Sequence, residues 1–247
     1  MHEYNRDEFR RAVREADAVH RETLPAFQEA IKRSFDPDAP VAGRRQLLRV
    51  GGLAVVGAAV LAACSDDDGG ATATTVAGGG APTADDVNLA TAAIKIENTA
   101  VAAYTAVGTL RTDLPAEVAA AATLFAGHHT QHAQALNAIL TTNGAAAIPA
   151  DQLFDGVTLP DQATIQSADL ATLGGVARGL EHAAAATYVE ATPLLSLPLL
   201  RQAIMGIGGA EARHVTTWDI LLAGDVTGYD ADLVVGGNYP TDASLLP

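Results

Sequence analysis

An all-α fold is predicted for this chain: a four-helix bundle over residues 83–223, made of two helical hairpins joined by a long crossover and followed by an irregular tail, residues 224–247. Three features predict it. Four long runs are rich in alanine, the best helix former, and each is bounded by helix starters and breakers. Short links join the first run to the second and the third to the fourth, which is the connectivity of antiparallel hairpins. The polar residues of the two halves also repeat: Glu97 and Tyr104, then His129 and His132, are followed by Glu181 and Tyr188, then Glu211 and His214.

The elements come in order along the chain. Thr83-Ala84-Asp85-Asp86 starts the first helix with acids in its first turn, where they complement the helix dipole, and the run continues to about Arg111. Pro115 opens the second, which stops at Asn143-Gly144. Residues 144–166 hold two prolines and no helical period, and form the crossover. Ser167 is a candidate cap for the third helix, which runs to about Ala191 before Pro193. The fourth lies between Leu197 and Ala223, with Gly224 as its stop. At 1.5 Å per residue, runs of roughly 25–30 residues span about 40 Å, the proportion of a long bundle.

The repeat carries the chemistry. Residues three apart on a helix share a face, so Glu211 and His214 can hold one metal ion together, as can His129 and His132. His128 and His132, four apart, also share a face; alignment with the second half favours His129. A carboxylate from each of the first and third helices, Glu97 and Glu181, would then complete a metal site in the bundle core. Unpaired buried glutamates are costly, so several in one layer demand cations or protons. Tyr104 and Tyr188, two turns from their glutamates, are candidate hydrogen-bond donors to the ligands, and so is His128 as an outer neighbour. Gly127, Gly179 and Gly209 each precede a ligand position by two residues, which suggests close helix approach there. Trp218 and Asp219 fall one turn past His214, and Asp219 either meets a ligating histidine or faces water.

Composition narrows the classes. From Cys64 onward the chain has five basic residues against twenty acidic ones. Such a surface argues against nucleic acid as a partner and fits attraction of cations. The acids are sorted: of five glutamates in this region, three stand at repeated positions, and all five of its histidines lie in or beside the repeat. Glu117 sits in a first helical turn and Glu190 at a helix end. A single cysteine excludes an intramolecular disulfide. Nothing resembles a Ser/His/Asp triad, a phosphate-cradling glycine loop or a paired-cysteine cluster.

Ahead of the bundle, residues 44–64 contain Arg44-Arg45, then Leu47-Leu48, a weakly apolar Gly/Ala/Val run, and Leu61-Ala62-Ala63-Cys64. The order resembles a twin-arginine export signal ending in a bacterial lipobox, in which Cys64 becomes the lipidated residue. A buried apolar helix with a core cysteine is the competing reading. Residues 65–82 are a polar tether. Residues 1–43 read as a cytoplasmic leader, or as translation begun too early with Val41 the true start. Glu8–Ser34 has the spacing of an amphipathic helix (Phe9, Val13, Ala16, Phe27, Ile31), and neither reading gives it a part in the bundle's function.

Over about residues 83–223 the chain resembles the ferritin-like superfamily, specifically bacterial exported ferritin-like domain proteins. Their pattern is Glu on two helices and Glu-x-x-His on the other two. Glu97, Glu181, Glu211 and His214 match it. His129 departs, because the pattern has glutamate there, and the exchange removes one negative charge and one bridging carboxylate. The resemblance implies an iron centre, with manganese or zinc as alternatives, and ferrous oxidation or oxygen and peroxide chemistry. It implies an extracytoplasmic protein held to the membrane by a lipid, a monomer or small homo-oligomer whose partners are metal ions. A non-catalytic metal-binding or scaffold protein of the cell envelope is the second reading, and a single-zinc hydrolase the third.

Overall fold

The computed structural model describes residues 4–35 and 82–222. The signal-like segment, most of the tether, the tail and the stop at Gly224 lie outside them. The described residues form six α-helices: α1 (Arg6–Phe35), α2 (Ala84–Leu110), α3 (Ala116–Thr142), α4 (Gln162–Ser167), α5 (Leu170–Ala191) and α6 (Pro198–Leu221). A 3₁₀ turn, Thr192–Leu194, comes after α5. α2 packs along α3 and α5 along α6, so the four long helices make two hairpins. Among the described residues no helix is long and apolar enough to cross a membrane.

Local chemistry sets the helix ends. Thr83 caps α2 in a reciprocal box: its Oγ1 accepts from the Asp86 amide at 3.1 Å, and its own amide donates to Asp86 Oδ2 at 2.9 Å. Ser167 does not cap the third bundle helix. It ends the short α4, and the chain re-enters a helix two residues later with Asp169 as the cap, accepting from the Thr172 amide at 2.7 Å. Two Asx caps in succession, at Asp161 and Asp169, explain why the crossover carries a helical turn that its prolines disguise.

The crossover is pinned to the first hairpin. Asn98 Nδ2 donates to the carbonyls of Pro149 and Gln152, and Asn137 bonds both the carbonyl and the amide of Ile148. Arg111 donates to the Ile165 and Ala168 carbonyls at the crossover's far end.

The amphipathic helix read within Glu8–Ser34 does form, over Arg6–Phe35, and it docks on the bundle. α1 packs on α6 and α3. Phe9, Ala16, His20 and Leu24 are buried along one stripe at helical spacing. Phe9 meets Trp218 with ring centroids 6.0 Å apart, and Tyr4 Oη donates to Glu117 at 2.8 Å. Arg6 and Arg10 pair with the same Glu117, so a carboxylate expected only to complement a helix dipole also anchors the fifth long helix.

Apolar residues form two clusters. One gathers Leu89, Ile94, Leu136, Ile139, Leu200 and Ile204. The other gathers Phe9, Tyr104, Val118, Phe125, Trp218 and Leu221. In chain order, the buried glutamates and histidines of every bundle helix fall between its contributions to the two. The polar layer is thus sandwiched between two dry ones. The expected close approach at glycines beside the ligand positions is not found at Gly127 or Gly209, where a Cβ would meet nothing within 4 Å. It occurs at Gly174, where a Cβ would stand 3.0 Å from Leu221, and at Gly208, 3.3 Å from Tyr188 Cβ.

Candidate metal centre

Each bundle helix delivers its share of the polar layer through simple periodicity. α2 supplies Glu97 and α5 supplies Glu181. α3 supplies His129 and His132 from one face, and α6 supplies Glu211 and His214 from another, each pair three residues apart. All six side chains are buried, none more than 2 % exposed.

They assemble into two overlapping groups. Glu97, His129, His132 and Glu211 form one, and His129, Glu181, Glu211 and His214 the other; within each, the candidate ligand atoms all lie within 4.8 Å of one another. His129 and Glu211 belong to both. In the first group His132 Nδ1 lies 3.0 Å from Glu211 Oε1 and 3.4 Å from Glu97 Oε2. In the second, His214 Nδ1 lies 3.1 Å from Glu211 Oε2 and 3.2 Å from Glu181 Oε2. His129 spans the two, with Nδ1 2.7 Å from Glu97 Oε2 and Nε2 3.2 Å from Glu181 Oε1.

The residues fit a metal on two counts. Two ligands held on one ion at about 2.0–2.2 Å stand roughly 3–3.5 Å apart in tetrahedral geometry, which is the range of most of these separations. His132 Nδ1 and Glu211 Oε1 are also buried without a hydrogen-bond partner, although they face each other, and such orphaned pairs are rare unless something else satisfies them. Three carboxylates and three imidazoles suit iron, manganese or zinc.

The groups hold their charge in balance. Burial opposes ionisation of Glu97, but the His132 and His129 imidazoles outweigh it and hold the carboxyl at about 2. Glu181 is held well below the carboxylate range, against burial, by His129 and His214. Burial, with Glu97 and Glu181 adding to it, raises Glu211 above its ordinary value. Burial would lower the imidazoles, but Glu211 and Glu181 push His129 well up, Glu97 and Glu211 take His132 to about 9, and Glu181 and Glu211 raise His214.

The tyrosines act crosswise. Tyr104, from the first half, donates to Glu181 of the second, and Tyr188 donates to Glu97 of the first. Burial, with the neighbouring carboxylates, raises both phenols well above their ordinary value, so both remain donors. Trp218 Nε1 donates to Tyr104 Oη at 2.8 Å, which fixes that phenol from behind. Periodicity puts each tyrosine on its own glutamate's stripe, and only the fold shows that a stripe faces the opposite hairpin.

His128 stands outside both groups. Its Nδ1 meets His214 Nε2 at 3.0 Å, and burial with the nearby imidazoles of His20 and His214 lowers it to about 2, so the ring is neutral. Asp219 does not reach a ligating histidine; it binds Arg178. Sequence reasoning missed His20, which stacks on His128 with centroids 3.8 Å apart. Its signal was available in the apolar stripe of α1, where a histidine falls four residues after Ala16.

A sequence model described as a ferritin-like domain matches residues 85–224, which takes in all four bundle helices and the whole polar layer. No curated protein and no solved structure matches the chain. Two hairpins, a crossover, two core groups that share ligands, and a match over more than half the chain lead to one conclusion: this protein belongs to the ferritin-like domain family.

Proposed function

We propose that the protein is a metal-dependent redox protein of the cell envelope, whose polar layer would hold two ions. The Glu211 carboxylate is common to both groups, and the His129 ring, which as a neutral imidazole has one free lone pair, is able to ligate one of the two. The observation that carries the reading is the pair of overlapping ligand groups at the centre of the bundle. Iron or manganese supplies one-electron chemistry towards oxygen or peroxide. The chain's own residues set the conditions. Glu97 with His132, and Glu181 with His214, complete one group each, and the two dry clusters exclude water from above and below. Tyr104 donates to Glu181 Oε1, the oxygen that also faces His129, and Tyr188 to Glu97 Oε1, the oxygen that His129 and His132 do not meet, and both so orient these carboxylates. An apolar cavity of about 130 Å³ touches Tyr104 and Trp218, and gives a small apolar molecule such as dioxygen a place one hydrogen bond from Glu181.

Elemental analysis of the purified protein tests this reading. Two ions per chain, together with oxygen-dependent oxidation of added ferrous iron, is the expected result. Two ions without oxidation would turn the assignment to a non-catalytic metal-binding protein, and no bound ion would end it.

Placement in the envelope rests on Arg44-Arg45 and the Leu-Ala-Ala-Cys run. Cys64→Ser is expected to release the protein from membranes or to block processing of the signal. Attachment unchanged in that variant would overturn the lipid anchor.

A further inference from the structure

The two nitrogens of the His214 ring face different surroundings. Nδ1 lies among Glu181 and Glu211, while Nε2 points away from the centre and meets His128 Nδ1 at 3.0 Å. If Nδ1 is committed to the centre, the ring proton resides on Nε2 and is donated to His128. The proton of His128 must then sit on its own Nε2. That atom is buried and makes no hydrogen bond among the described residues, Asp17 included. It faces α1, where Asp17 Oδ1 lies 3.5 Å away. The other oxygen of Asp17 is held by Arg21. Both rings are also clamped from the side: His20 stacks on His128 at 3.8 Å and 13°, and Phe125 stacks on His214 at 3.9 Å and 24°.

We infer that His128 and Asp17 are positioning residues of the metal centre, forming a carboxylate-terminated two-imidazole relay that fixes the tautomer and orientation of His214. The relay gives α1 a role at the centre of the unexported chain, before transit would part α1 from the bundle. Metal-ligating histidines commonly donate their second nitrogen to a carboxylate; here a second imidazole is interposed, and the carboxylate comes from outside the four-helix bundle. The relay serves only the group containing Glu181 and His214. Among the described residues no second imidazole is hydrogen-bonded to His132, in the other group, and His20 lies tilted against it, with centroids 5.0 Å apart and 53° between planes.

The inference rests on the metal reading above, and one titration separates the two. Full-length protein is titrated with cobalt(II), whose visible spectrum reports each site, and zinc-loaded protein labelled with ¹⁵N in histidine reports the tautomer of His214. His128→Phe keeps a ring against His20 but removes the acceptor. It is expected to weaken one of two cobalt sites by roughly 10–100-fold, the usual cost of losing an outer partner, and to leave the other unchanged. Asp17→Ala, a change on the outer helix that leaves the bundle helices untouched, is expected to weaken the same site and shift the His214 ¹⁵N signals, and Asp17→Glu to restore both. Wild-type affinity at both sites and unmoved ¹⁵N signals in His128→Phe and Asp17→Ala would overturn the relay alone. Equal weakening of both sites would overturn it too, as a general loss of structure. Wild-type protein that binds no cobalt would overturn the relay and the metal reading together.

Discussion

Glu211→Ala is expected to empty the centre of both ions, whereas loss of either outer carboxylate is expected to affect mainly one. The difference follows from geometry: Glu211 offers Oε1 to the group containing His132 and Oε2 to the group containing His214, while Glu97 and Glu181 each belong to a single group. Losing a residue that directly bounds both groups should cost more affinity than the roughly 10–100-fold typical of an outer-shell partner. Metal stoichiometry by elemental analysis checks it, with the exposed Glu190→Ala as the control that keeps both ions. His129→Glu runs the other way. It replaces the imidazole common to the two groups, which can ligate one ion through its single free lone pair, with a carboxylate able to reach both, and is expected to raise the affinity of the weaker site for ferrous iron. Equal stoichiometry in wild type, Glu211→Ala and His129→Glu would show that these residues are not ligands.

The largest expected loss of stability lies far from the centre, at Asp86. This carboxylate is fully buried and accepts from the Thr83 amide and hydroxyl, the Ser196 amide at 2.6 Å, the Ser196 hydroxyl and the Leu197 amide at 3.1 Å. It therefore ties the first turn of α2 to the link between α5 and α6, and joins the two hairpins at one end. Asp86→Ala strands several buried donors at once. Hydrogen bonds to a charged group are worth about 1.5–3 kcal/mol each and are not additive, so a loss of about 3–5 kcal/mol is expected, or roughly 10 °C in Tm for a domain of this size. Thermal unfolding measures it, and a change under about 1 kcal/mol would show that the link is held by its apolar contacts instead. Burial would raise the carboxyl, but the donors from Ser196, Thr83 and Leu197 lower it from 3.8 to about 2. A group depressed in the folded state stabilises it above the unfolded value, and that contribution fades as the pH falls from about 3.8 through about 2. Wild type should therefore lose stability relative to Asp86→Ala only in that acid window.

Much of this was legible because helices convert spacing into facing. Glu211 and His214 had to share a face once α6 was a helix, and glutamate was too sparsely used after Cys64 to be surface decoration. The helix limits at Thr83, Pro115 and Leu197 came from chemistry that acts within one turn, a capping box at the first and a proline at the start of each of the other two. Whatever depends on a partner distant in sequence escaped. Asp86 reads as an ordinary first-turn acid, and only the fold brings Ser196 to it. Spacing sets the tyrosines on the right helices yet pairs each with the wrong glutamate, because periodicity gives the direction of a side chain and not which helix stands opposite. Ser167 lost its capping role to Asp169, a residue equally able to cap, and nothing local separates the two.

The docking of α1 sets a condition on sidedness. A segment threaded into a bilayer during export leaves the residues before it on one side and carries the residues after it to the other. α1 lies before residues 44–64 and the bundle after them, yet Phe9 lies against Trp218 and His20 against His128. One chain cannot keep those contacts and be threaded at the same moment. If residues 44–64 direct export, the docked arrangement belongs to the compartment of synthesis, and crossing requires that the whole stripe from Phe9 to Leu24 be peeled away. The contact would then work as a clock, dividing the life of the molecule into a sealed interval before transit and an unsealed one after it.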